Sequence, residues 1–459
     1  MGAGARRAEL SGIRSWFVPA AVGLISTAVY TWFSAAQWAR FEVPSFDNAL
    51  YTQLLQAYAE FREPIVPIAG IGFNLLGDHF HPLLAIFAPV FWVAPHGFAL
   101  LVVQNAGFGV AAALITWCAR RQVGPLNGIV LGGAFALSWG LQSAVAAQFH
   151  EVALSVPLIA GSLVAIVERR WVTAAVCAAL LVFVKEDLGI TVVVISIVIA
   201  WQSGRRAWLL LAVWGAGWFA LTTTVILPAL NPSGSWGHGQ ELGIANVVGD
   251  PAALFAPAKF LTVGLLLASG ALLLLRSPIA LVLLPTLAWR FLSENPAHWG
   301  TSWHYSAVLM PIVFVALIDA IQRSRQSKHR SLRLAARWAP VAAGAVAIAL
   351  LPFFPLRTLV LPAGYAAPLA AEARAALSVI PAGASVDSDK LLINYLVDDH
   401  PVAWLWRTGN PPPDCLAAGV ATLGENGIDG FAALSEDRYP GERYRLVHEG
   451  EQYAIACRF

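Results

Sequence analysis

Carboxylates, imidazoles and one ammonium group recur at five places in a chain that is otherwise strongly apolar. Asp47 stands in Phe46-Asp47-Asn48, and Asp78, His79 and His81 crowd into Gly77-Asp78-His79-Phe80-His81-Pro82. Further on come Gln148-Phe149-His150-Glu151, then Lys185-Glu186-Asp187, then His304-Tyr305. A carboxylate such as Asp47 can serve as a general base if burial or a hydrogen-bonding neighbour sets its pKa and aim. Imidazoles beside acids can hold phosphate when protonated or ligate a divalent metal, for which Asp78, His79, His150 and Glu151 are the candidates. Metal ligation requires these residues to converge from separate segments.

Each group also has a bland reading. Asp47 precedes a helical pattern containing Tyr51, Gln53 and Gln56, where Asp is a favoured N-cap. Asp78 can cap the helix that starts at Pro82. His150 and Glu151 fit a solvated turn, Lys185 with Glu186 or Asp187 a local ion pair, and His304 an interfacial residue. Together they point to one polar pocket, because all fall on the same predicted side of the membrane.

That membrane is implied by composition: 58% hydrophobic and 12% charged residues over 459 positions, against the roughly 25% charged usage of soluble domains. The expected fold is an α-helical polytopic membrane protein. Runs of about 20 apolar residues define eleven spans, at roughly 16–37, 98–118, 124–146, 152–167, 171–184, 188–201, 207–227, 258–275, 278–292, 305–321 and 338–355. The first lacks a signal-peptide cleavage site and reads as a retained helix. A formal net charge of +2 names no partner by itself.

The spans 171–184 and 188–201 could instead be one long interrupted helix, and charge bias arbitrates. With a hairpin there, sixteen Lys or Arg fall on one side: Arg6, Arg7, Arg14, Arg120, Arg121, Arg169, Arg170, Arg205, Arg206, Arg276 and the six between Arg323 and Arg337. Five fall opposite before residue 356, namely Arg40, Arg62, Lys185, Lys259 and Arg290. The positive-inside rule then places the N-terminus in the cytoplasm and the acidic and imidazole clusters on the extracytoplasmic side. The basic run 324–337 reads as a topology anchor near anionic lipid, with no nucleic-acid partner implied.

Two domains are expected: a membrane domain, 1–355, whose long first outer loop covers 38–97, and a small soluble α/β domain, 356–459, on the outer side. There Cys415 and Cys457 can pair if the compartment is oxidising, whereas Cys118 and Cys177 read as small buried hydrophobes. The Gly-rich segment 231–258, with Trp236 and His238, suits a cover over the pocket.

The succession Phe46-Asp47, Gly77-Asp78-His79-Phe80, Phe149-His150-Glu151, Lys185-Glu186-Asp187 and His304-Tyr305, followed by Ile380-Pro381 through Val386, resembles a bacterial multi-pass membrane family classed as a domain of unknown function and related to the GT-C glycosyltransferases. The resemblance covers nearly the whole chain. It implies a GT-C-like bundle acting on a polyprenyl-phosphate-linked sugar, with Asp47 taking the acceptor proton as the sugar is transferred with inversion. His79, His150, Lys185 and His304 are the implied phosphate donors, with His81, Glu151, Glu186, Asp187 and Tyr305 completing the substrate pocket. Many GT-C enzymes carry two adjacent acidic residues in this loop, whereas Asp47 has none beside it. Asp78 would then supply the second carboxylate by folding, or the catalytic assignment fails.

Three functions are therefore in play: an integral membrane glycosyltransferase, with or without a divalent metal; a non-catalytic envelope or lipid-binding protein; and a transporter or flippase of lipid-linked saccharides, for which internal repeats and broken helices would be expected. No repeat of fixed period is present, and only the 171–201 hairpin suggests a broken helix.

Overall fold

Apolar helices dominate the computed structural model, which describes residues 3–237, 255–423 and 430–459. Among these residues, five helices are long and apolar enough to cross a membrane: Ser15–Ala39, Gly97–Val123, Pro125–Ala146, Arg206–Leu230 and Arg330–Phe353. The remaining expected spans correspond to shorter helical segments, including Glu151–Val167, Trp171–Phe183, Leu188–Ser203, Pro257–Ser269 and Pro278–Leu292. At 1.5 Å per residue, a 16-residue helix such as Leu188–Ser203 reaches about 24 Å, short of the roughly 30 Å hydrocarbon core. Several boundaries differ from expectation, among them those at 118, extended to Val123, and at 275, cut back to Ser269. The last membrane helix begins at Arg330, because the basic run continues the helix rather than forming a loop. The helix expected from 305 starts at Leu309 and runs to Arg325, since His304 and its neighbours form turns.

The hairpin between 171 and 203 is observed. Phe183 lies against Trp218, with ring centroids 5.0 Å apart, and Gly189 packs against Gly215 on the same neighbouring helix. Residues 183 and 189 are thus level, so the chain reverses at Lys185-Glu186-Asp187. A Cβ on Gly189 would stand 2.6 Å from the Gly215 carbonyl oxygen, so only glycine permits this helix crossing.

Three helices share one direction and frame the site. Ser155–Val167 follows Glu151, Leu188–Ser203 follows Asp187, and Leu309–Arg325 follows His304. Arginines gather at their far ends, as Arg169, Arg205 and Arg323. Polar chemistry therefore collects at one end of the bundle and guanidinium groups at the other.

The C-terminal part carries a five-stranded sheet in the order β2-β1-β3-β5-β4. The strands are β1 (Val386–Ser388), β2 (Val402–Trp404), β3 (Cys415–Gly419), β4 (Tyr444–Glu449) and β5 (Tyr453–Arg458). The first three run parallel, while β5 is antiparallel to both β3 and β4. Alternation divides the buried residues of β3 and β5 between two faces. Cys415, Ala417, Tyr453 and Ile455 join the core continuous with the bundle, while Leu416, Ala418, Ala454 and Ala456 pack with Phe431 and Tyr439. Cys415 and Cys457 are direct partners in the β3–β5 register and are joined by a disulfide. Cys118 is a buried free thiol and Cys177 a half-buried one.

This sheet unit is docked onto the segment that links the first two long apolar helices, Ser15–Ala39 and Gly97–Val123. Asn394 accepts a hydrogen bond from the Ala49 N–H at 2.9 Å, and Asp398 accepts one from the Gly97 N–H at 2.8 Å. Gln53 donates to the Val402 carbonyl at 2.6 Å, and Phe46 packs on Trp404 with centroids 4.8 Å apart.

Candidate active site

The helix Asp47–Ala59 opens at Asp47 itself, so its carboxylate sits in the first turn near the positive end of the helix dipole. Phe46 occupies the N-cap, and no side chain caps the helix. Asp47 instead faces His150, with Oδ2 and Nε2 3.3 Å apart. A third of the Asp47 side chain is exposed, at 34%. Burial of the carboxyl opposes its ionisation, but the hydrogen bond and charge of His150, with help from Ser45, outweigh this and hold its pKa below the ordinary value.

His150 is clamped from both sides. Its ring stacks on His304 with centroids 3.7 Å apart and planes 28° from parallel, and its Nδ1 lies 3.3 Å from the Gln148 carbonyl oxygen. Gln148 and Trp303 both have positive φ, 69° and 65°, two residues before His150 and one before His304. Backbone strain of this kind persists only where surrounding contacts enforce it. Gln148 accepts from the Asn394 amide at 2.8 Å, so the sheet unit fixes the turn. On the other side, the buried Arg290 guanidinium donates to the carbonyls of His298 and Gly300 and to Ser306, tying down the loop that presents His304. Burial and the neighbouring His150 hold the His304 pKa well below the imidazole value, so its ring is neutral at pH 7.

A second arrangement lies deeper. Glu151 accepts hydrogen bonds from Lys185 Nζ at 2.7 Å and from the Tyr51 hydroxyl. Lys185 Nζ is also 3.4 Å from His79 Nε2, whose Nδ1 is 2.8 Å from Glu186 Oε1. The other Glu186 oxygen accepts from the Phe80 N–H at 3.0 Å. Burial and Lys185 both oppose protonation of His79, yet Glu186 wins and raises its pKa to about 9. Burial likewise opposes the Glu186 charge, but His79 and Lys185 bring its pKa down to about 2. Asp187 is pushed up to about 6 by burial, against the pull of Lys185. His81 stands edge-on to Tyr51 with centroids 5.6 Å apart, and burial lowers its pKa to about 4.

The predicted clusters therefore converge, with several changes of partner. Lys185 forms no local pair with its sequence neighbours. It reaches Glu151, and Glu186 turns to His79. The nearby negative charge felt by Asp47 is that of Glu151. Asp78, expected as a second carboxylate for Asp47, is a neighbouring charge to His79 and Tyr51. Tyr305 packs against His304 and His298. The candidate metal set of Asp78, His79, His150 and Glu151 does not assemble: among the described residues, no group of three or more His, Cys, Asp or Glu side chains is arranged to hold a metal ion. Glu151 is committed to Lys185 and Tyr51, and His150 to Asp47 and His304.

Gly77 lets the backbone of 230–231 lie against this region, since a Cβ there would stand 2.6 Å from the Leu230 carbonyl. Asn231 donates to the Gly77 carbonyl at 3.0 Å, anchoring the start of the segment expected to cover the pocket. His238 lies outside the described residues. Tyr51, Gln148, Arg290 and Asn394 were not singled out by sequence reasoning as site residues. Tyr51 carries a signal in lying one helical turn after Asp47, and Gln148 in opening the cluster that holds His150, whereas Arg290 and Asn394 stand in none of these clusters.

Fold and site together define a polytopic membrane protein with a polar pocket at one end of its bundle. Residues 38–409 match the family described as predicted membrane protein (DUF2079), and the chain belongs to that family. ArnT from Cupriavidus metallidurans, bound to undecaprenyl phosphate, has the same fold: TM-score 0.51, over 95% of this chain and 97% of that one, at 13% identity. Its apo form aligns with a TM-score of 0.46 over 89% and 92% of the two chains, also at 13% identity. No curated protein is significantly similar in sequence. The helical membrane fold expected from the sequence is thus one that ArnT shares.

Proposed function

We propose that this protein transfers a sugar from a polyprenyl-phosphate-linked donor to a cell-envelope acceptor on the extracytoplasmic face of the plasma membrane. The observation that carries this reading is the partly exposed Asp47 carboxylate, oriented by His150, which is itself stacked on His304. An acceptor hydroxyl gives its proton to Asp47 while its oxygen bonds to the anomeric carbon. The bond from that carbon to the phosphate oxygen breaks, and polyprenyl phosphate leaves with the electron pair. His150 keeps the carboxylate aimed and stabilises its charge before transfer. Lys185 and His79 supply the positive charge facing the leaving phosphate, shared with Glu151 and Glu186. The ArnT structure with undecaprenyl phosphate supports a polyprenyl lipid as partner.

The N-terminus lies in the cytoplasm, and the sheet unit, with residues 356–459, forms an outer domain. The arginine bias supports this orientation, and so does the disulfide, which suits an oxidising compartment. A second reading, lipid binding without transfer, is favoured by one observation: Lys185 and His79 are both already paired with carboxylates.

The test is release of label from a panel of radiolabelled polyprenyl-phosphate sugars, with and without divalent metal, by the purified protein and Asp47→Asn. Release by the wild type and its loss in the variant is the expected result. Tight polyprenyl phosphate binding with no release from any donor would leave the lipid-binding reading in its place.

A further inference from the structure

At the end of the bundle away from Asp47, a cavity of about 710 Å³ opens between four elements. It is lined by Arg169 after the Ser155–Val167 helix, Trp201 and Gln202 at the end of Leu188–Ser203, Arg276 in the connection before Pro278, and Arg323 near the end of the Leu309–Arg325 helix. We infer that this cavity binds the phosphate of an anionic lipid headgroup, in the leaflet opposite the candidate active site. The inference does not depend on the proposed transfer reaction.

Charge supports it first. Glu168, next to Arg169, is turned away and engaged by Arg121 and by the Gln122 amide at 2.7 Å. Asp319 pairs with Arg323 Nε at 2.6 Å and accepts from the Ser277 hydroxyl, which fixes Arg323 at the cavity wall. Among the described residues, neither Arg169 nor Arg276 has a carboxylate within ion-pair distance. Three guanidinium groups facing one carboxylate leave an excess of positive charge that a phosphate would balance.

Hydrogen bonding supports it second. The Gln202 side chain lines this cavity, and its buried Nε2, which a turn of the amide would bring to the cavity, has no hydrogen-bond partner among the described residues. A buried donor left unpaired is costly, and a phosphate oxygen is the acceptor that would satisfy it. The surroundings distinguish a lipid from a soluble anion. Trp201 is 67% exposed, and Leu275 and Leu281 at the same cavity are also exposed, giving acyl chains an apolar path beside the charges. Tryptophan at headgroup depth and basic groups between membrane helices are the usual elements of such sites.

The experiment is native mass spectrometry of the full chain from detergent doped with phosphatidylglycerol or phosphatidylcholine. Four samples are compared: wild type, R169Q/R276Q, the single variant R276Q, and R330Q/R337Q on the neighbouring basic helix. Thermal unfolding in detergent alone checks folding. Wild type is expected to retain phosphatidylglycerol over phosphatidylcholine, and R169Q/R276Q to bind it about thirtyfold more weakly, each arginine contributing roughly a factor of five. R276Q should show part of this loss and R330Q/R337Q little. Equal loss in R330Q/R337Q would reduce the effect to general surface charge and overturn the site, as would unchanged retention in R169Q/R276Q and R276Q. Displacement of the lipid by millimolar inorganic phosphate as readily as by competing phosphatidylglycerol would assign the cavity to a soluble anion and overturn the lipid.

Discussion

Two groups of ionisable residues lie side by side at the same end of the bundle, yet they are built for different work. In the Asp47–His150–His304 group the carboxylate is a third exposed and meets one imidazole. In the Tyr51–Glu151–Lys185–His79–Glu186 group the carboxylates are covered, with Glu151 and Glu186 side chains at 3% and 1% exposure, Lys185 and His79 are only slightly exposed, and each charge is answered by a partner. A reacting group must be reachable and have a proton site to spare, whereas a buried charge must be paired or it destabilises the fold. In the proposed transfer we therefore assign reactivity to the first group, with the second setting the shape and field around it.

The sharpest way to break this division is to remove one carboxylate from each group. Asp47→Asn should lower sugar transfer by about 10²–10⁴-fold, the range for loss of a general base, and leave thermal stability nearly unchanged. Initial rates and unfolding midpoints of the same preparation decide it; transfer at the wild-type rate would remove Asp47 from the chemistry. Glu151→Ala should do the reverse and cost stability first, about 3–5 kcal/mol, because Lys185 is left buried without its carboxylate. The double variant Glu151→Gln/Lys185→Met should recover much of that loss in unfolding measurements, since both charges go together. A double variant as unstable as Glu151→Ala would show that the pair is not what holds this region.

Titration sharpens the comparison with a smaller effect. The folded His79 pKa of about 9 exceeds its ordinary 6.5, so its contribution to stability is complete below about pH 6.5 and is lost as pH rises through about 9. Glu186, brought down from 4.5 to about 2, contributes fully above about pH 4.5 and loses its share as pH falls through about 2. Both describe the one His79–Glu186 pair and count once. The contribution of this pair, read as the difference in unfolding midpoint between wild type and His79→Gln, should therefore be flat from about pH 4.5 to 6.5 and decline towards pH 9. A difference that shows no such decline would place the origin of any alkaline slope elsewhere.

The sequence alone made the helical bundle and the convergence of Asp47, His79, His150, Glu151, Lys185 and His304 legible, because apolar run length and charge bias are properties of the chain itself. Partner choice was not legible. Lys185 stands beside two acids in sequence yet bonds to Glu151, since the turn at 185–187 directs neighbouring side chains to different walls. The disulfide could be posed as a possibility from two cysteines, but the β3–β5 register that pairs them is a tertiary fact. Least legible was Asn394, whose contact with Ala49 spans 345 positions and leaves no local pattern.

Asn394 also offers the finest test of what separates the two groups. Its carbonyl oxygen accepts from the Ala49 N–H, and its amide donates to the Gln148 side chain, two residues before His150. Its amide also lies 3.5 Å from the carbonyl of Ser45, two residues before Asp47. Asn394→Ala leaves those buried groups without a partner and should cost about 1–3 kcal/mol in unfolding measurements. Because the turn that aims His150 is loosened, transfer should fall several-fold through the maximal rate rather than through the apparent donor affinity, and Asn394→Asp should restore the bond to Ala49 but not the donation to Gln148. If Asn394→Ala weakened donor binding and left the maximal rate intact, the sheet unit would serve the phosphate side of the pocket, and the orientation of His150 would have to come from the His304 stack alone.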